Sequence, residues 1–459
     1  MTAPVLDVTG KRVTVAGAAR SGLAAAALLA RRGARVTLSD AKSGVAGVES
    51  LERQGVVLEL GGHVRSSFVD ADLVVLSPGV PPEQPDVVAA RAHGVPVIGE
   101  IELASRWLRG RIIAITGTKG KSTTASLTGR MLEAAGFKVT VGGNIGLPLS
   151  TQVEASTPDT LHVVETSSFQ LEQIDRFHPW IAVMLNISMD HLDRHPDVDA
   201  YISAKARIFE NQEAGDWAVI NADDPTVLAT ASRGRAALRC FSRRSRLEEG
   251  TTLETGWIVQ HVAGRSEPLV PLDAIKLIGS HLVDDVMAAA TVGAIAGASS
   301  RAMTDAVQRF SGLEHAMELV AEADGVRFVN DSKATNVDAA LRAIESFDSE
   351  LVPIIGGRFK GGDLRLLRTA VQQRTKAIVA MGEATPLVHD ALGDLVPVHD
   401  GSTIRAAVEK AFQIARPKGV VLLAPACASF DMFSDYAERG RRFKEEVARV
   451  VEIATRKEG

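Results

Sequence analysis

Residues 112–127 read IIAITGTKGKSTTASL, and this run constrains the fold more than any other. An apolar strand, Ile112–Ile115, leads into a turn in which Gly117 and Gly120 flank Thr118 and Lys119; Lys121, Ser122 and Thr123 then open a helix carrying Leu127 and Met131. Glycines let backbone N–H groups turn toward phosphate oxygens, and the positive end of the helix adds to their pull. Lys121 is long enough to reach a β- or γ-phosphate, and the Ser122 hydroxyl suits Mg²⁺, so the segment predicts an ATP site of the P-loop type. It is a shortened loop, because Ile115 stands where the GxxxxGK[ST] pattern has its first glycine.

A strand–turn–helix of this kind works inside a parallel sheet, and the remaining pattern predicts an α/β protein. Short apolar runs recur at Val13–Ala16, Val36–Leu38, Leu73–Leu76, His162–Val164, Ile181–Leu185, Ala218–Ile220, Val326–Val329, Val352–Ile355, Ala377–Ala380 and Val420–Leu423. They are continuous rather than alternating, as strands covered on both faces are, and helical patterns separate them. Between Leu238 and Pro271 the pattern becomes short and alternating, which predicts a small antiparallel insert before a helix at His281–Gly297. At 459 residues the chain exceeds one hydrophobic core, and its punctuation divides it into 1–100, 101–312 and 313–459.

Charge and cysteine usage exclude several classes. A net charge of −5 offers no global attraction to nucleic acid or an anionic membrane. Cys240 and Cys427 stand far apart, against a disulfide framework or a cysteine zinc site, and no signal peptide or 18-residue apolar run occurs. These features predict a cytoplasmic protein.

Three further constellations follow predicted strands. Gly17-Ala18-Ala19-Arg20-Ser21-Gly22 follows the first strand, and Asp40 closes the second. This approximates a dinucleotide fingerprint, but Ala19 replaces the glycine that admits a pyrophosphate closely, so a nucleotide-sugar diphosphate fits as well as NAD. In the middle segment Glu165 and Asp190-His191 follow strands and Lys205 lies in a helical stretch. Ligands gather at the carboxyl ends of strands in open sheets, and Glu165 and His191 are suitable Mg²⁺ ligands beside phosphates. The last segment carries NDSKATN at 330–336, GGRFKGGD at 356–363 and a polar run within 422–443. Lys333 and Lys360, flanked by small residues, suit a carboxylate or phosphate.

Together these residues resemble the Mur ligase family, and more narrowly its MurD branch. The resemblance runs through SPG at 77–79, TGTKGKST at 116–123, GGNIG at 142–146, ETSSFQLE at 165–172, SMDHLDRH at 188–195, GLEHAMELV at 312–320, NDSKATN, and PACASFDMF at 425–433. It implies a Rossmann-like N-terminal domain binding UDP, a central P-loop ATPase domain, and a Rossmann-like C-terminal domain that binds glutamate and closes over ATP. It places Arg20, Ser21, Asp40, Ser77, Gly79 and Asn144 on the UDP substrate. The ATP side receives residues 117–123 with Asp285, His315 and Asp331. Thr335, Lys360, Ser429 and Tyr436 would bind glutamate, with Lys333 beside the catalytic centre. Ser122, Glu165 and His191 would hold two Mg²⁺ ions together with Lys205 carbamylated by CO₂.

The implied reaction is amide formation between UDP-N-acetylmuramoyl-L-alanine and D-glutamate through an acyl phosphate, by a monomer that uses ATP. Two departures stand on the nucleotide side: Leu282 and Asp285 where many relatives show HNxxN, and Ala316 where arginine is common. Rival expectations are another amide ligase, such as a folylpolyglutamate-type enzyme, and a non-catalytic nucleotide switch. The switch leaves Glu165, His191, Lys205 and the last segment's polar turns unexplained.

Overall fold

The computed structural model describes residues 6–188, 195–231, 234–275, 281–310 and 312–458. Asp190 and His191 lie outside them. The described chain forms two compact units, the first running to Ile275 and including Val283–Gln308, the second taking up at Arg309.

The first unit holds two sheets. Strands β1 (Arg12–Ala16), β2 (Arg35–Asp40), β3 (Val57–Leu60), β4 (Leu73–Leu76) and β5 (Val97–Gly99) form a parallel sheet in the order β3-β2-β1-β4-β5. The order reverses between β1 and β4, so the crevice for a ligand opens where Ala16 and Leu76 end. Helix Arg20–Arg31 follows β1 with eight alanines and leucines in succession, residues 23–30, and buries Ala25, Ala26, Leu28 and Leu29. Full burial of each leucine contributes about 1.5–3 kcal/mol.

The second sheet comprises β6 (Arg111–Thr116), β7 (Lys138–Gly143), β8 (Thr160–Glu165), β9 (Ile181–Met184), β10 (Trp217–Asn221), β11 (Ala237–Ser242), β12 (Gly250–Glu254), β13 (Trp257–Val262) and β14 (Arg265–Pro271), in the order β14-β13-β12-β11-β10-β9-β6-β8-β7. Its interior is parallel; β12, β13 and β14 pair antiparallel at one edge, where the alternating segment predicted an insert. β6 lies between β8 and β9, so the turn after Thr116 sits beside the ends of both.

The short helix Glu100–Ser105 joins the two sheets through buried carboxylates. Glu100 Oε1 accepts from the Ser150 N–H at 2.6 Å. Glu102, with no exposed surface, accepts on Oε2 from the N–H groups of Asp175, Arg176 and Phe177 at 2.9, 3.0 and 2.8 Å and pairs through Oε1 with Arg106. Charge-assisted bonds of this kind satisfy the acid and the start of the 175–177 turn together.

The second unit is a six-stranded sheet: β15 (Glu318–Ala323), β16 (Val326–Asn330), β17 (Leu351–Gly356), β18 (Ile378–Met381), β19 (Val398–Gly401) and β20 (Gly419–Leu423), in the order β15-β16-β20-β17-β18-β19. All neighbours run parallel except β15 against β16. Separate apolar clusters cover its two faces, one around Ile344, Leu351 and Leu422, the other around Phe328, Val421 and Phe443.

Candidate active site

The turn after β6 is built from two glycines with positive φ, Gly117 at 156° and Gly120 at 81°, the second capping helix Lys121–Ala134. L-residues with a Cβ avoid that region, so the turn requires glycine there. Asn186, after β9, fixes the loop from both sides: its Oδ1 accepts from Lys119 N at 2.8 Å and its Nδ2 donates to Lys119 O at 3.2 Å. Thr118 N donates to Asn186 O at 2.9 Å, and Thr118 Oγ1 lies 3.0 Å from the Tyr201 hydroxyl.

Two lysines meet under this loop. Lys121 Nζ donates to the carbonyls of Gly117 and Thr118 at 3.0 and 2.9 Å, folded back over its own turn. Lys205, only 2% exposed on helix Val198–Ala206, donates to Gly117 O at 2.8 Å and to Thr116 Oγ1 at 3.4 Å. Beside them Glu165, at the end of β8 and 1% exposed, accepts from Ser122 Oγ at 2.6 Å on Oε2 and from Asn144 Nδ2 at 2.7 Å on Oε1. Ser122 and Glu165 thus present two hard oxygen donors next to a phosphate-shaped turn. That set fits Mg²⁺, which takes few protein oxygens and keeps several waters. Among the described residues no three His, Cys, Asp or Glu side chains gather as a metal cage.

Asp285, one of the departures noted in the sequence, lies against this turn. Its side chain is 3% exposed and stands so close to Gly120 that an added Cβ there would overlap Oδ1. Burial pushes its carboxyl well above the usual carboxylate range, the neighbouring Asp284 adds to the shift, and Thr124 and Lys121 oppose it. Asp284 pairs instead with Arg243 at 3.0 Å.

At the crevice of the first sheet, Asp40 organises two turns: Oδ2 accepts from Ala18 N at 2.6 Å and Oδ1 from Lys42 N at 2.8 Å. Ser77 Oγ donates to Gly17 O at 3.0 Å, and Arg20 bonds Gly146 O across to the second sheet. Ala19 is the N-cap of helix Arg20–Arg31 in extended conformation, with no side-chain cap, so alanine serves where the fingerprint has glycine. Ser21 is half-buried and Gly79 exposed at the same rim. A cleft lined by Ser77, Pro78, Glu100, Phe169 and Gln170 lies between the sheets. In it Glu100 Oε2 and Gln170 Nε2 have no protein partner, and burial raises the Glu100 carboxyl above its ordinary range.

In the second unit, adjacent strands bring the three polar turns together. Asp331 N donates to Leu423 O at 2.9 Å, Gly356 N to Pro425 O at 2.9 Å, and Ala426 N to Ala334 O at 3.0 Å, while Arg358 and Ala428 exchange bonds of 2.9 and 3.0 Å. Lys333 and Lys360 are exposed, Thr335 half-buried and Ser429 buried; Tyr436 is exposed with its ring 6.4 Å from that of His315. His315 is 3% exposed, has positive φ of 64°, and its Nδ1 lies 3.0 Å from Asn330 Nδ2. Burial lowers its pKa, which Glu314 and Glu318 oppose. Asp331 Oδ1 accepts from Met317 N at 3.2 Å; burial raises its pKa to about 7 against that bond and Lys333.

Several participants are absent from the sequence reading. Asn186 and Tyr201 carry no motif of their own, although each follows or flanks a predicted site element. Among the described residues Arg439 is the largest wholly buried side chain, and it sits among the turns of the second unit. Its signal was an arginine at helical spacing after Tyr436, which a solvated helix would also give.

Comparison with known proteins agrees with this layout. Residues 11–99 match a family described as Mur ligase MurD-like, N-terminal domain; 115–293 match Mur ligase middle domain; 316–427 match Mur ligase, glutamate ligase domain. The UDP-N-acetylmuramoylalanine--D-glutamate ligase of Acidobacterium capsulatum is 46% identical over 445 residues, covering 96% of each chain. That of Koribacter versatilis is 43% identical, covering 97% of this chain and 99% of its own. In fold, the UDP-N-acetylmuramate-alanine ligase MurC of Thermotoga maritima superposes with a TM-score of 0.59 at 18% identity, over 96% of this chain and 100% of that one. Mycobacterium tuberculosis folylpolyglutamate synthase gives 0.55 at 16% identity, over 75% and 92%. The order of the three matches, the near-full-length identity and the glycine turn after β6 lead to one assignment: the chain belongs to the Mur ligase family.

Proposed function

We propose that this chain is the ATP-dependent ligase that joins D-glutamate to UDP-N-acetylmuramoyl-L-alanine in peptidoglycan precursor synthesis. The observation that carries the proposal is the convergence of Lys121 and Lys205 on the Gly117 carbonyl, with the Ser122–Glu165 pair beside them. A nucleotide switch needs the glycine turn and Lys121; it has no use for a second buried lysine beneath the same turn.

The alanine carboxylate attacks the γ-phosphorus of ATP, ADP leaves, and an acyl phosphate results. The glutamate amine then attacks the activated carbonyl and phosphate departs. The first attack joins two anions, so its barrier is largely electrostatic, and preorganised positive groups lower it. The N–H groups of 117–123 cradle the phosphates, and Lys121 exchanges its bonds to Gly117 and Thr118 for a β/γ-oxygen. Ser122 and Glu165, with His191, would hold Mg²⁺, which when bound neutralises phosphate charge. Lys205 is proposed to carry a carbamate, which replaces an ammonium by a carboxylate and supports a second ion; its remaining Nζ–H still suits Gly117 O.

Arg20, Ser21, Asp40, Ser77, Gly79 and Asn144 serve the UDP substrate, with residues 1–100 as its domain. Residues 101–312 hold ATP. Residues 313–459 take glutamate through Thr335, Lys360, Ser429 and Tyr436, with Lys333 at the reacting groups and with His315 and Asp331 joining Asp285 of the central domain on the nucleotide side. No helix among the described residues is long and apolar enough to cross a membrane; we place the enzyme in the cytoplasm, as a monomer. Phosphate release that needs both UDP-N-acetylmuramoyl-L-alanine and D-glutamate is the expected result. ATP hydrolysis indifferent to both would return the assignment to a nucleotide switch.

A further inference from the structure

The ladder between β6 and β9 continues past the ends of both strands. Within the sheet Thr116 lies opposite Met184. In the loops that follow, Leu185 N donates to Thr116 O at 3.1 Å and Thr118 N to Asn186 O at 2.9 Å. Side chains then extend the pairing: the Asn186 amide closes on both polar groups of Lys119, and Ser188 N donates to Thr118 Oγ1 at 3.0 Å. A Cβ on Gly117 would lie 3.0 Å from Leu185 Cβ and 3.4 Å from Asn186 N, so the two loops touch directly. The 186–188 run is itself anchored from its other side. Ile187 N donates to Asp224 Oδ2 at 2.8 Å, while Asp224 Oδ1 accepts from Thr226 N and Val227 N at 2.9 and 3.1 Å.

These bonds divide the glycine turn. The N–H groups of Thr118 and Lys119 are engaged by Asn186 and do not face an anion. An α-helix leaves its opening N–H groups without an intrahelical acceptor, and helix Lys121–Ala134 starts from Gly120, a left-handed residue with no side-chain cap. Phosphate oxygens therefore meet the turn from Gly120 onward. Only a primary amide serves at 186, because Lys119 presents a donor and an acceptor together; a carboxylate lacks the donor and an apolar side chain lacks both. Glycine loses more backbone freedom on ordering than any other residue, so a turn built on Gly117 and Gly120 is costly to hold in one shape. A clamp already closed on Thr118 and Lys119 removes that cost from nucleotide binding.

We propose that Asn186 is a positioning residue for ATP: its amide holds the turn at Thr118 and Lys119 in its binding shape before nucleotide arrives, and leaves the N–H groups from Gly120 to Thr123 as the phosphate cradle. This deepens the ATP reading of the same site and rests on it. A clamp of this kind acts equally on bound ATP and on the transition state, so its loss raises KM for ATP and leaves kcat. Two neutral bonds to backbone correspond to about 10- to 100-fold in affinity.

The test uses the full-length protein with Asn186→Leu, which keeps the branched shape and removes both polar atoms, and Asn186→Asp, which keeps the acceptor and loses the donor. Kd for ATP is measured by equilibrium dialysis, and KM for each substrate from phosphate release with UDP-N-acetylmuramoyl-L-alanine and D-glutamate. Asn186→Leu should raise Kd and KM for ATP about 10- to 100-fold, with the other two KM values within about 2-fold and kcat within about 3-fold. Asn186→Asp sets a second acceptor against Lys119 O and should raise both ATP constants about 10-fold or more. A residue that merely supports the fold would move all three KM values together. An ATP Kd unchanged in Asn186→Leu, or a common rise in all three KM values, overturns the proposal. If Asn186→Leu does not fold, Asn186→Asp decides by the same criteria: a rise confined to ATP supports the proposal, and no rise or a common one overturns it. A wild-type protein that binds no ATP sinks the reading of the site as well, whereas one that binds ATP no more tightly than Asn186→Leu sinks this inference alone.

Discussion

Replacing Asp331 by asparagine should make the second unit more stable at neutral pH while weakening the enzyme. The carboxyl is 8% exposed, and burial lifts its pKa from 3.8 to about 7. Between those values the unfolded chain has lost the proton that the folded chain keeps, so stability present below pH 3.8 is lost as pH rises to about 7. At 1.36 kcal/mol per pH unit that interval amounts to ~4 kcal/mol. Asparagine has no proton to lose, and its Oδ1 still accepts from Met317 N. Asp331→Asn should therefore match the wild type near pH 4 and exceed it by up to ~4 kcal/mol at pH 8. The four tryptophans, at 107, 180, 217 and 257, lie in the first unit and do not report on the second. Hydrogen exchange in β16 and β20 does, and the gain corresponds to ~10³-fold greater protection at pH 8. Turnover should fall at least ~10-fold in the same variant, the usual exchange of stability for function at a site residue. Equal protection of the two proteins at pH 8, or a parallel decline of both with pH, would refute the reasoning.

Lys121→Met should lower kcat by ~10²- to 10³-fold, since a cation aimed at transferring phosphate is absent, and circular dichroism should stay native. Lys205→Ala should abolish turnover and recover part of it with added short-chain carboxylic acids; no recovery at any concentration counts against the carbamate. Glu102→Ala strands three N–H groups and Arg106 in the interior and should cost the first unit ~3–5 kcal/mol, read from tryptophan fluorescence in urea.

The strands visible in the sequence were those buried on both faces. Val13–Ala16, Ile112–Ile115, Val352–Ile355 and Val420–Leu423 sit in sheet interiors, where every side chain meets apolar neighbours and the apolar run is unbroken. The strands that escaped notice, β3, β7, β15 and β19, lie at sheet edges and mix exposed with half-buried residues. Half an edge strand faces solvent, so composition there looks like a loop. The site divides similarly. Gly117, Gly120 and Lys121 could be read because backbone geometry demands glycine and phosphate demands a cation. Asn186, Glu102 and Arg439 could not, because each acts on backbone brought from 67 to 107 positions away, and local pattern carries no trace of such a partner.

The carboxylates of Glu100 and Glu102 have a consequence for anyone recombining this chain with its relatives. A junction cut after residue 105 would separate two acids from the amides of Ser150 and of 175–177 that receive them. A chimera would then bury unsatisfied charge in its seam unless the donor of the first sheet also supplied the matching loops. The exchangeable module is thus larger than the sheet it contains, and the safe crossover lies well downstream of the place where the chain changes sheets.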